Sequence, residues 1–184
     1  MILKVFFILT IFISSGTICY SAVHSTPEYY EVCDTNYKII DGDTIKINDN
    51  TFRLVLIDTP ESKYRGKAQY CKDDETNCGE LAKQKLKELA DNKICCVKVG
   101  TDFYNRYLGL CSNNNSYKIE NTFNYKLVEL GYAWEYKSKD AKKQYNNLFK
   151  QLRINAQVLK LGLFADDLAG FEEPKIWRKQ KRGK

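Results

Sequence analysis

Strand-patterned segments come first in this chain and amphipathic helices follow, an order that predicts an α+β domain: a small closed barrel of five β-strands with about three helices packed outside it. Three observations carry this. Short β-branched and aromatic runs alternate across turn residues as far as residue 57, two more lie near residues 94 and 107, and the remaining segments repeat apolar residues at helical spacing. A length of 184 residues suits one domain with a real core better than two.

The elements follow in order. "MILKVFFILTIFISSGTICYSA" (1–22) has one early lysine, Lys4, an apolar run from Val5 to Ile13, then small and polar residues. That is the layout of a secretory signal, and the run is shorter than the roughly 20 residues a spanning helix needs. We expect cleavage between Cys19 and Ala22, export, and a mature monomer without stable membrane association. Residues 23–36 are expected to precede the domain, residues 37–178 to form it, and 179–184 to be a basic tail. "YKIIDGDTIKI" (37–47) reads as two strand pieces around a turn at Asp41-Gly42, and "TFRLVLI" (51–57) as a third strand after "NDN". "GELAKQKLKELADNK" (79–93) puts Ala82, Leu86, Leu89 and Ala90 on one helical face. "ICCVKV" (94–99) and "YLGLCS" (107–112) return to strand pattern. "TFNYKLVELG" predicts a short helix ending at Gly131, and "KSKDAKKQYNNLFKQLRINAQVLKLG" a longer one with Tyr145, Leu148, Leu152 and Leu159 inward and Gly162 after it. Five strands in two groups with helices between and after match the oligonucleotide-binding type of barrel.

Cysteine and histidine counts narrow the chemistry. Beyond Cys19 in the signal-like region there are Cys33, Cys71, Cys78, Cys95, Cys96 and Cys111, an even number in a chain with an export signal, so disulfides are expected. Cys71 to Cys78, across "KDDETN", is the favoured bridge. No paired CxxC is present and the only histidine is His24, so a zinc site is the weaker reading. A Ser-His-Asp triad or a histidine pair is excluded too. Catalysis would have to run on carboxylates, arginines and perhaps a metal. Six of the last ten residues, "KIWRKQKRGK", are basic, which reads either as a solvated end or as a phosphate-binding extension.

The charged residues inside the strand region carry the functional signal. Asp41 and Asp43 in "DGDT", Arg53 in "FRLVLI", Asp58 and Glu61 in "DTPE", and Arg106 in "YNRYLG" are the candidates. Returning strands in a meander let Asp43 face Asp58, and two close carboxylates repel unless a cation or a proton sits between them. Taken singly, "DGDT" and "DTPE" are ordinary turn sequences. Arg53 is different: an arginine in a half-buried strand must find an anion, either Asp58, Glu61 or a phosphate.

"DGDT", "FRLVLIDTPE" and "YNRYLG", in this order and spacing, together with "NYKLVELGYAW" and the closing "GLFADDLAGFEEPKIWRK", resemble the staphylococcal nuclease family from about Tyr37 to Arg178. The resemblance implies a calcium-assisted nuclease acting on DNA or RNA. It implies Asp43, Asp58 and the Thr59 carbonyl as calcium ligands, Arg53 and Arg106 as phosphate-binding arginines, Glu61 as general base and Tyr104 as a nucleotide contact. Departures are Asn105, where a glycine is usual, and the bridged segment after "DTPES", expected either to narrow the groove or to change the preference for single strands. Lys137 and Lys139 fall where the family's later substrate tyrosines would be. A catalytically inactive nucleic-acid-binding module on the same fold is the alternative. For an exported protein that binds calcium only for stability, Arg53 and Arg106 would instead be held in salt bridges.

Overall fold

The chain enters its sheet earlier than the strand pattern indicates. In the computed structural model, which describes residues 30–115, 118–138, 143–168 and 170–182, β1 (Glu31–Asp34) lies within the segment expected to precede the domain. The signal-like stretch and its expected cleavage region lie outside the described residues, as does Lys139. β2 (Tyr37–Asp41) and β3 (Thr44–Ile47) form the hairpin expected around Asp41-Gly42, and β4 (Asn50–Leu54) continues it antiparallel, with Thr44 opposite Arg53.

The single strand expected over residues 51–57 is in fact two. Leu54 N–H donates to the Asp43 carbonyl and Val55 N–H to the Gly109 carbonyl, and Leu56 then takes a left-handed backbone at φ 70°. The chain turns and resumes as β5 (Ile57–Asp58) in a separate two-stranded sheet with β8 (Trp134–Glu135). This break positions the site. In an unbroken strand residues 53 and 58 would be about 16 Å apart and on opposite faces.

β6 (Ile94–Thr101) and β7 (Tyr107–Ser112) complete a curled sheet of order β1-β6-β7-β4-β3-β2, in which β4 and β7 are the parallel pair. The expected five-strand barrel is thus an α+β fold whose main sheet has gained β1 at one edge. Disulfides Cys33–Cys95 and Cys96–Cys111 staple directly opposed residues of β1 to β6 and of β6 to β7. Adjacent residues of a strand point to opposite faces, so Cys95 and Cys96 take different partners. The third disulfide is the expected Cys71–Cys78.

α1 (Cys78–Leu89) is capped by the Asn77 side chain, which accepts from Glu80 N–H, and buries Ala82 and Leu86 as its periodicity predicts. α2 (Phe123–Glu129) ends before Gly131, whose φ of 79° and close approach to the Leu161 carbonyl exclude a Cβ. α3 (Lys143–Val158) buries Phe149, Leu152 and Ala156 and packs Tyr145 and Leu148 at the core's edge. Leu159, expected inward, is 65% exposed because the helix has already ended. α4 (Pro174–Arg182) begins on a proline, where the missing N–H costs nothing, and takes up residues 179–182 of the basic tail. Ile45, Ile47, Phe52 and Leu54 meet Leu86, Leu127 and Phe149 in the core. No described helix is long and apolar enough to cross a membrane.

Replacing Cys96 and Cys111 together by alanine should cost about 2–4 kcal/mol, by freeing the unfolded chain and loosening β6 from β7. Urea unfolding under oxidising conditions, with the midpoint falling and the slope little changed, would check this.

Candidate active site

Arg53 projects from the middle of β4 and is clamped between two acids. Its Nη1 lies 2.6 Å from Asp43 Oδ2 and its Nη2 donates to Asp58 Oδ1 at 2.7 Å. Asp43 directly precedes β3, whose first residue Thr44 is the register partner of Arg53, and Asp58 returns through the turn at Leu56. Both acids are almost fully buried, with side-chain exposures of 6% and 2%. Thr44 hydroxyl donates to Asp43 Oδ1 at 2.9 Å, and the buried Thr59 N–H to Asp43 Oδ2 at 3.4 Å. The expected meeting of Asp43 and Asp58 therefore occurs, with a guanidinium bridging them.

Glu61 is held by its backbone. Its carbonyl accepts from Gln69 N–H at 2.8 Å, the neighbouring Ser62 N–H reaches Asp41 Oδ1 at 3.4 Å, and Gly79 packs so closely that an added Cβ would meet Glu61 carbonyl atoms at 2.2 Å. Residues 69 and 79 flank the Cys71–Cys78 bridge. This bridged segment buttresses Glu61.

The Glu61 side chain does not reach Arg53. It accepts from Arg178 Nη1 at 2.6 Å, and the same guanidinium donates to Asp58 Oδ2 at 2.6 Å and Oδ1 at 3.1 Å. Arg178 comes from α4, over a hundred residues away in sequence. α4 is fixed beside the site through Gln69, whose amide donates to the Glu172 carbonyl, through Lys72 N–H on the Gly170 carbonyl, and through the buried Trp177 edge-on to Tyr64.

Arg106 stands apart from this cluster. The parallel register pairs Arg53 with Leu108, so Arg106 enters β7 two residues from Arg53's partner. It is forked onto Asp102, with Nε at 2.8 Å and Nη2 at 2.7 Å from Oδ2, while Asp102 Oδ1 accepts the N–H of Tyr104 and of Arg106. Asn105, in the glycine position, adopts φ 61°, which asparagine tolerates better than most residues. The turn displays Tyr104, 73% exposed, and Phe103 beside it, 94% exposed.

Burial drives the electrostatics. It pushes the Asp41 carboxyl up, with Asp43 adding to the effect. Burial also raises Asp58, against Arg178 and Arg53, and Glu61, against Arg178. For Arg53 and Arg178 burial opposes the charge, but the carboxylates outweigh it and drive both further up, so both stay cationic. Asp43, Asp58 and Glu61 contact the two guanidiniums and Asp41 adjoins them, so carboxylates outnumber guanidiniums here. An all-oxygen donor set with that acidic excess fits a hard ion such as calcium, which Asp43, Asp58 and the Thr59 carbonyl would hold. Glu31 with Cys33 and Cys95 also gathers ligand-type atoms, but both sulfurs are in a disulfide and are not thiolate ligands.

The family model of staphylococcal nuclease homologues matches residues 51–166. This chain belongs to the staphylococcal nuclease family. No curated protein matches it. Members of the family are nucleases or nucleic-acid-binding proteins on an oligonucleotide-binding fold, so nucleic acid is the class of partner the membership implies. The matched span holds Arg53, Asp58, Thr59, Glu61, Tyr104 and Arg106. Asp43 and Arg178 lie outside it, and the fold alone draws them in. The sequence gives little warning of Arg178: the helix start at Pro174 and the aromatic neighbour Trp177 were the available signals, and the basic run of the tail masked them.

Two expectations follow. Gly79→Ala should destabilise the chain by about 1–3 kcal/mol and displace the Glu61 backbone, read as a lower melting temperature and faster amide exchange at Gln69. Partial burial pushes the Asp102 carboxyl up, but the bonds from Arg106 and Tyr104 outweigh it and hold it below the usual range. A depressed acid contributes stability above its unfolded value and loses it as pH falls through the folded one. Amide exchange at Arg106 should therefore stay protected down to about pH 4 and be lost below it, a transition absent in Asp102→Asn.

Proposed function

We propose that this protein is an exported, calcium-assisted nuclease that hydrolyses phosphodiester bonds of DNA or RNA, with Arg53, Glu61 and Arg106 as its catalytic residues. The observation that carries the reading is the convergence of Asp43, Arg53, Asp58 and Glu61, from three separate segments, into one buried cluster in a member of a nuclease family. Export rests on the signal-like residues 1–22 and on three disulfides, which persist in oxidising compartments.

In this reading Glu61 takes a proton from water as the water oxygen attacks phosphorus, and the bond from phosphorus to the leaving ester oxygen breaks. Phosphodiesters resist attack because they are anionic, so the equatorial oxygens need fixed positive charge as the transition state forms. Arg53 offers that charge in a bidentate fork anchored in β4, which a lysine would not reproduce. A bound calcium ion would supply further Lewis-acid stabilisation of the same oxygens. Arg106, one strand away, would take the leaving oxygen or a neighbouring phosphate, giving up Asp102 as it does so. Tyr104 and Phe103 offer exposed faces on which an unpaired base can stack.

One observation favours the alternative of an exported protein that binds calcium only for stability. Both Arg53 and Arg106 are held in ion pairs, the arrangement expected if neither serves chemistry. Partly buried guanidiniums need anions in any substrate-free protein, however, so pairing is compatible with both readings.

Cleavage of heat-denatured DNA by the oxidised mature protein, with calcium and then with excess chelator, separates them. We expect calcium-dependent cutting, reduced at least about 100-fold in Glu61→Gln and in Arg53→Lys. Salt-sensitive DNA binding by a well-folded protein that cuts nothing would establish the binding module.

A further inference from the structure

Both oxygens of Asp58 are already taken. Oδ1 accepts from Arg53 at 2.7 Å and from Arg178 at 3.1 Å, and Oδ2 accepts from Arg178 at 2.6 Å. Asp43 is similarly engaged by Arg53, Thr44 and Thr59. A hard cation needs a carboxylate lone pair at about 2.3–2.6 Å; one lone pair of Asp58 Oδ2 is left, but a guanidinium on the same oxygen repels the ion. Cation binding at Asp58 is therefore opposed by the arginines it holds and favoured when one of them moves away.

The two arginines differ in their freedom to do so. Arg53 grows from the middle of β4, hydrogen-bonded on one side to β3 and on the other to β7, and its guanidinium also bridges to Asp43. Arg178 sits on the last helix, and its guanidinium holds a second anchor in Glu61 at 2.6 Å. It can release Asp58 and remain bonded to Glu61.

We propose that Arg178 is a positioning residue that competes with the divalent cation: it holds Asp58 in the cation-free protein, yields it on cation binding, and keeps Glu61 oriented throughout. This rests on the nuclease reading for the role of Glu61, whereas the competition at Asp58 does not. α4 then does more than close the fold, since it carries the group that sets how readily the site loads. Trp177, buried and adjacent to Arg178, is placed to report the rearrangement.

The test is calcium titration of the full mature chain without nucleic acid, by calorimetry and by tryptophan fluorescence in a Trp134→Phe background. Wild type, Arg178→Gln, Arg178→Lys and Lys179→Gln are compared, the last removing an exposed charge from the same helix. Competition predicts at least about tenfold tighter calcium binding in Arg178→Gln, less than about twofold change in Lys179→Gln, and a calcium-induced Trp177 signal that Arg178→Gln lacks. Far-ultraviolet circular dichroism establishes that the variants are folded, and Arg178→Lys, which keeps the charge but not the fork, should fall between. Unchanged or weaker calcium binding in folded Arg178→Gln overturns the competition. With saturating calcium, Arg178→Gln should lower kcat at least about tenfold with KM little altered, and a wild-type kcat overturns the positioning of Glu61. A wild-type protein that binds calcium but never cleaves sinks the nuclease reading, and the titration still decides the competition.

Discussion

The site is organised around the buried guanidinium of Arg53 and the two carboxylates it bridges. Asp43 and Asp58 are too deeply buried and too close to coexist as bare anions, and Arg53 is too enclosed to stand as a bare cation. Each makes the others tolerable. Removing one partner of such a group typically costs about 3–5 kcal/mol, because it leaves an uncompensated charge in a poorly solvated place. The turn at Leu56 exists in this setting: it bends the chain out of β4 early enough to bring Asp58 back onto Arg53. The candidate site and the fold share the same three side chains, so Arg53 is also a structural member of the sheet.

Around that group the fold adds support from distant parts of the chain. The Cys71–Cys78 loop and α1 press on the backbone of Glu61 through Gln69 and Gly79, while the segment before α4 is tied back to the same loop through Gln69 and Lys72. The glutamate side chain is thereby fixed from below by packing and from the side by Arg178. Sites built in this way tolerate small backbone errors poorly, since a displacement of an ångström at a reacting group is costly. The Cys71–Cys78 disulfide serves a candidate site whose geometry depends on loops rather than on the sheet alone.

Arg106 shows how local design can keep a group in reserve. Its fork onto Asp102 closes a tight turn, orients the exposed Tyr104 and Phe103, and costs little to exchange for another anion at the surface. Arg53, bridged to two buried acids from the middle of β4, has no such freedom. The two kinds of arginine divide the work between a rigid centre and an adaptable rim.

Local periodicity and turn chemistry made most of the elements legible in the sequence. The hairpin at Asp41-Gly42, the strands at 94 and 107, the inward face of α1 and the Cys71–Cys78 bridge all follow from neighbours within a few residues. The residues Asp43, Arg53, Asp58 and Glu61 were legible too, because charges in an apolar strand and its turns demand a reason. Three things were settled only in three dimensions. β1 pairs with a strand some sixty residues away, the run over 51–57 breaks because Val55 bonds to Gly109 and not to a straight neighbour, and Glu61 takes Arg178 in place of Arg53. Each depends on hydrogen bonds or ion pairs between segments far apart in the chain, where spacing along the sequence carries no information about distance in space.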